Sequence, residues 1–127
     1  MNDTPGYATE VLARVSEYLG WRLFVIETRP IDAALESSLI NDHLDHQVEL
    51  ERRGIMFAAG PLRDADGTRV AGLVVIRAGS FDDAKEIADS DPMHRAGART
   101  YTLHQWTMNE GGFDLRVRFS DQSVEIR

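Results

Sequence analysis

WRLFVIETRPIDAALESSLINDHLDHQVELERRGIMFAAGPL, residues 21–62, decides the fold. WRLFVIET at 21–28 is a compact run of aromatic and branched side chains with strand composition. Arg29-Pro30 ends that run, and Asp32 stands where a helix N-cap is needed. No Pro or Gly then interrupts residues 33–53, and Gly54 suits the left-handed turn that closes a helix. IMFAAGPL at 55–62 supplies a second strand. Strand, long helix, strand is the first half of an α+β sheet.

The helix carries an anomaly. At roughly 100° per residue, Leu35, Leu39 and Leu50 fall in one quadrant, and Ile40, Leu44 and Val48 in the next but one. Between them runs a polar stripe of Glu36, His43 and Gln47, with His46 at the edge near Leu35 and Leu39. A solvated face does not lie between two apolar groups, so the stripe either meets polar partners or faces a cleft. His43 is its titratable member. The plain reading is a half-buried imidazole that hydrogen-bonds a neighbour; the functional one is a proton acceptor at a cleft wall.

Outward from this unit, Asp66-Gly67 is a hairpin signal leading into RVAGLVVIRA at 69–78, a third strand. Ser80 with Asp83 resembles a capping box and opens a second helix through Ala88. Asp91-Pro92 starts a short further helix ending near Gly97, and ARTYTLHQW at 98–106 is the fourth strand. Strand, helix, strand, strand, helix, strand is the ferredoxin-like βαββαβ order, with two helices on one sheet face. The other face, rich in Val, Ile, Leu and Phe, needs cover, and a second copy of the chain is the economical source. Residues 5–19, opened by Thr4-Pro5, read as an added N-terminal helix with Tyr7, Val11, Val15 and Leu19 on one face. After Gly111-Gly112, FDLRVRF and SVEI read as an added C-terminal hairpin within 112–127.

The 127 residues suit a single domain, core about 21–107, and no apolar run approaches the ~20 residues that span a bilayer. No secretory signal is indicated at the N-terminus, so a cytoplasmic protein is expected. The absence of cysteine rules out disulfides, a thiolate nucleophile and thiolate metal sites. A net charge of −7 without a Lys/Arg cluster opposes nucleic-acid binding. No Gly-rich phosphate loop, nucleophile elbow or redox-cofactor fingerprint is present, and no cofactor is expected.

HLDHQVELERRGIMFAAGPL, GLVVIRAGSFDDAKEIADSDP and the Asp-Pro-x-x-x-x-Gly of DPMHRAG carry a resemblance. From about residue 22 to 106 the chain is similar to the YciI-like (YCII-related) family of the dimeric α+β barrel superfamily. His43 falls on that family's helix histidine and Asp91 on its Asp-Pro aspartate. The resemblance implies a ferredoxin-like homodimer with a cleft containing a His-Asp pair. Relatives similar to muconolactone isomerase and to dehydrochlorinases suggest cofactor-free proton transfer on small organic acids. The chain departs from the family at Met93-His94, where an aromatic commonly follows Asp-Pro, and at Gln105-Trp106, where Pro-Trp often closes the last strand.

In that scheme His43 is the general base and Asp91 orients it, since a carboxylate on one ring nitrogen fixes the tautomer and favours the imidazolium formed. Asp91 before Pro92 is also a plain N-cap, and one carboxylate can fill both roles. His94, after Asp91, and His46, one turn from His43, are substrate-binding candidates; an exposed helix position explains His94 as well. His43 and His46 have the i, i+3 spacing that can share a metal, but no third ligand is placed, so no metal is expected. Gly60 in Ala-Gly-Pro allows a pocket floor or marks a bulge, and Arg29 at a strand end can meet a carboxylate or merely enter the helix. The expected function is a small-molecule isomerase or lyase of dehydrochlorinase type; the alternative is a non-catalytic metabolite-binding, structural or regulatory dimer.

Overall fold

A computed structural model describes residues 6–127. These divide into two compact units, one of residues 21–107 and the other of 6–20 with 108–127.

The larger unit is built on β1 (Trp21–Pro30), α2 (Ala33–Arg52), β2 (Met56–Arg63), β3 (Arg69–Ile76), α3 (Phe81–Asp89), α4 (Pro92–Arg95) and β4 (Arg99–Met108), the last residue of β4 falling in the other unit. The sheet order is β2-β3-β1-β4, and β3 runs antiparallel to both β1 and β2. This is the ferredoxin-like α+β arrangement. Local chemistry sets the boundaries. Asp32 accepts a hydrogen bond from the Leu35 amide at 3.0 Å, and Gly54 closes α2 at φ 74°. Ser80 Oγ accepts from the Asp83 amide to start α3. Gly67, at φ 87°, turns the chain between β2 and β3, with Asp66 accepting from the Thr68 amide.

The core lies between one sheet face and the helices. Phe24 and Ile26 of β1 pair in register with Ile76 and Val74 of β3, and all four pack with Ala84 and Ala88 of α3. The two alanines let α3 approach closely, and Phe81 meets Phe24 edge to face at 5.0 Å. Burying a side chain such as Ile76, with no exposed surface, is worth ~1.5–3 kcal/mol. Leu73 and Val75 alternate with these core positions and therefore face away from the helices, where a shallow groove lined also by Ala58–Leu62 is almost wholly apolar.

α2 packs with an unexpected side inward. Its buried residues are Glu36, His43 and Leu50, whereas Ile40, Leu44 and Val48 stay exposed. Glu36 and His43 of the polar stripe, with Leu50, and not the Ile40-Leu44-Val48 group, are what the helix buries, and Gln47 is half-buried.

The smaller unit holds α1 (Thr9–Ser16), β5 (Leu115–Val117) and β6 (Val124–Ile126). α1 is shorter than the expected 5–19. Gly6 is left-handed at φ 88° and Ala8 is extended at the N-cap, so the helix begins at Thr9; Thr4-Pro5 lies outside the described residues. β5 and β6 form an antiparallel hairpin, Leu115 opposite Ile126 and Val117 opposite Val124, with Arg116 opposite Glu125 on the other side. The Leu19 amide is bonded to the Asn109 carbonyl at 3.4 Å within this unit.

Candidate functional site

Asp91 is the N-cap of α4, with Pro92 in the first turn, and its Oδ1 accepts from the Met93 amide at 2.9 Å. The same carboxylate receives His43 from α2. His43 Nδ1 lies 2.8 Å from Oδ2 and 3.0 Å from Oδ1, and each residue is only 6 % exposed. Burial pushes the Asp91 carboxyl upward, but the hydrogen bonds from His43 and the Met93 amide outweigh it and hold the group below the usual carboxylate range. An ionised Asp91 can only accept, so Nδ1 carries the proton and Nε2 is left with its lone pair when the ring is neutral.

A second charged group stands beside this pair. Arg99, the first residue of β4, donates from Nε to Glu36 Oε2 at 2.7 Å and from Nη1 to the His43 Nε2 lone pair at a long 3.5 Å. Arg69, the first residue of β3, donates from Nη2 to both Glu36 oxygens at 2.9 and 3.1 Å. Burial raises the Glu36 carboxyl, yet the two guanidiniums together pull it below its ordinary value. One carboxylate thus restrains two arginines next to the imidazole.

Two hollows open on this constellation. One of about 250 Å³ is lined by His43, Ile40, Leu44, Gly60, Arg63 and Arg69, among others, and the other, about 350 Å³, by Glu36, Ser37 and Ile40 among others; Arg69 and Arg99 line both. Gly72 of β3 lines the first hollow as well, and its backbone lies against Thr28 of β1.

Of the residues singled out from sequence, the fold brings His43 to Asp91 and places Gly60 at the wall of the hollow that His43 lines. The others point elsewhere. Ser90 Oγ donates to the Ile87 carbonyl at 2.6 Å and accepts from His46 Nε2 at 3.2 Å. Burial lowers the His46 pKa, with the nearby Asp91 charge opposing. His94 donates from Nδ1 to the Ala88 carbonyl at 2.6 Å and lies against the Tyr101 ring at 4.7 Å. Arg29 pairs with Glu27 of its own strand. Among the described residues no three His, Asp or Glu side chains are grouped to hold a metal ion.

Sequence reasoning missed Arg69 and Arg99, and it noted Glu36 only as part of a polar stripe. A signal was available: both β3 and β4 open on arginine, and α2 presents a carboxylate one face-repeat from His43. A single cation at one strand start means little, but two of them facing one buried acid is a pattern.

The fold has counterparts among known proteins. An uncharacterized protein, YjpA, of Bacillus subtilis (strain 168) is 34% identical over 64 residues, which covers 50% of this chain and 68% of YjpA. The solved structure of 5-chloro-2-hydroxyhydroquinone dehydrochlorinase from Burkholderia phenoliruptrix AC1100, in complex with 2,5-dihydroxybenzoquinone, superposes with a TM-score of 0.55 at 21% identity, over 66% of this chain and 92% of that one. At that identity the likeness is one of fold. The family model for the YCII-related domain matches residues 22–107, a span that takes in α2, α3, α4, the body of the four-stranded sheet and every member of the constellation around His43. Sequence, topology and matched span agree, and the chain belongs to the YCII-related domain family.

Proposed function

We propose that the protein is a small-molecule enzyme that moves a proton without a cofactor, in an isomerisation or elimination on a small organic acid. The observation that carries this reading is the contact of His43 Nδ1 with Asp91 at 2.8 Å while the same histidine lines an open hollow. Asp91 orients the ring and stabilises the imidazolium; Nε2 takes the proton. The Gly60-Pro61 segment floors the space in which the reacting carbon sits. The likeness of fold to a dehydrochlorinase supports elimination as one form of the reaction.

The working form in this proposal is a homodimer. The apolar groove over β2 and β3, on the sheet face turned away from the helices, is the surface that a second copy would cover.

The test is turnover of 5-chloro-2-hydroxyhydroquinone, read as chloride release, and of muconolactone, read as isomerisation, by the wild-type chain and by His43→Asn. Loss of about 10²–10⁴-fold in rate is expected for His43→Asn, the usual contribution of a positioned general base. Turnover that survives the substitution defeats the proposal. Saturable binding of such ligands with no turnover by the wild type would identify a binding module in its place.

A further inference from the structure

We propose that Arg99, clamped by Glu36 and flanked by Arg69, holds the oxygen on which negative charge develops when His43 takes a proton, so that the hollow selects small enolisable carbonyl compounds and binds enolate-like anions more tightly than their neutral analogues. This rests on the reading of His43 as the base. Three observations lead to it.

The first is charge. Among the described residues Arg63, Arg69 and Arg99 line the hollow and no carboxylate does; the two nearby are Glu36, paired with Arg69 and Arg99, and Asp91, engaged by His43 and the Met93 amide. One positive charge is left in excess, on a chain whose net charge is −7. A ligand drawn to this place is drawn against the charge of the whole molecule, so the local field is what selects it.

The second is donor capacity. Arg99 is 9 % exposed, yet it lines both hollows. A guanidinium presents five N–H donors in a fixed plane. Its Nε is committed to Glu36 and its Nη1 stands at a long 3.5 Å from His43; among the described residues no acceptor meets Nη2. A desolvated cation with an uncommitted edge beside an open space is a seat for a carboxylate, phenolate or enolate oxygen.

The third is the spacing of base and cation. Nη1 donates to Nε2 only at a long 3.5 Å, so a ligand oxygen that takes this N–H in place of Nε2 frees the lone pair and puts the carbon next to its carbonyl within reach of it. The step then balances. The C–H bond breaks, its proton passes to His43 Nε2, its electron pair forms the enolate C=C bond, and the carbonyl π pair moves to oxygen as the charge that Arg99 holds. Release of a leaving group from the enolate gives elimination, and return of the proton to another carbon gives isomerisation. Glu36 is a positioning residue in this scheme. It fixes the guanidinium plane before the charge appears, which is the condition for electrostatic stabilisation to be effective.

The test uses the full chain and 2,5-dihydroxybenzoquinone, a vinylogous acid that is anionic at neutral pH, with its uncharged 2,5-dimethoxy analogue as comparator, by titration calorimetry. The wild type is expected to bind the anion more tightly than the neutral analogue, with affinity falling as salt rises. Arg99→Gln should weaken binding about ten- to a hundredfold, the worth of a hydrogen bond to a charged group, and Arg99→Lys should recover part of it. Arg69→Gln, at a half-exposed position that the fold tolerates more readily, should weaken binding several-fold. Wild-type affinity in both glutamine variants, equal affinity for the neutral analogue, or no saturable binding of the anion at millimolar concentration overturns the proposal. The base reading fails by a different sign, turnover that survives His43→Asn, so the two can fall separately.

Discussion

Gly72→Ala should destabilise the protein, and Thr28→Ala should remove that destabilisation. Gly72 and Thr28 are partners in the β1–β3 register. A Cβ at position 72 would lie 2.7 Å from Thr28 Oγ1 but 4.0 Å from Thr28 Cβ, and Thr28 is 3 % exposed. Gly72 is not among the left-handed glycines, so the close approach alone calls for glycine here. Forcing a methyl against a buried hydroxyl costs ~1–3 kcal/mol, offset by ~0.5–1 kcal/mol from replacing glycine inside a strand. The net loss is about 0–2.5 kcal/mol in the wild-type background. Once Thr28 is alanine, the remaining 4.0 Å separation is ordinary contact, and Gly72→Ala becomes neutral or stabilising. Urea unfolding of the four proteins at one fixed chain concentration measures the coupling, expected to exceed about 1 kcal/mol. Additive effects of the two substitutions, within about 0.5 kcal/mol, would refute the steric account of Gly72.

Acid should weaken the protein through Asp91 and Glu36, whose carboxyls are both held below the ordinary range in the folded state. A depressed folded pKa means the unfolded chain binds more protons between the two values; the contribution is therefore full at neutral pH and is lost below about pH 5 as the folded values are approached. Urea midpoints between neutral pH and pH 3 check this, and the double variant Asp91→Asn, Glu36→Gln should show a shallower fall. Leu73→Glu, placing a charge in the apolar groove over β2 and β3, should convert a dimer of twice the chain mass to monomer in sedimentation velocity; a wild type already monomeric at micromolar concentration refutes the proposed assembly. Burial, joined by its hydrogen bond to Asp89, pushes the Tyr101 hydroxyl up to about 12, so one tyrosine should ionise late in an ultraviolet titration and that late step should vanish in Tyr101→Phe.

What could be read from the chain was what local chemistry writes. Asp32, Ser80 and Asp91 cap helices, and Gly54, Gly67 and Gly97 turn the chain at positive φ, because each effect acts within a few residues. Strand order followed from the alternation of elements. The inward side of α2 was harder, since hydrophobic periodicity ranks Ile40, Leu44 and Val48 as buried, whereas ion pairs to residues far along the chain make Glu36 and His43 the buried ones. Those pairs join positions 33 to 63 residues apart and leave no periodic mark. Arg69 and Arg99 stayed hidden for that reason, while His43 was legible because a polar stripe between two apolar groups is itself a local contradiction. The sequence placed His94 beside Asp91 but not the orientation of its ring: α4 turns Nδ1 back toward the Ala88 carbonyl.

Because one oxygen of Asp91 both holds the first turn of α4 and touches the imidazole, chemistry at His43 is wired to a backbone amide. Whatever draws that oxygen toward the ring loosens its grip on the Met93 N–H, and the deuterium uptake of this single amide becomes a gauge of what occupies the neighbouring space. Under the proposed function, activity lost in an Asp91 variant would have two sources, a disoriented ring and an uncapped turn.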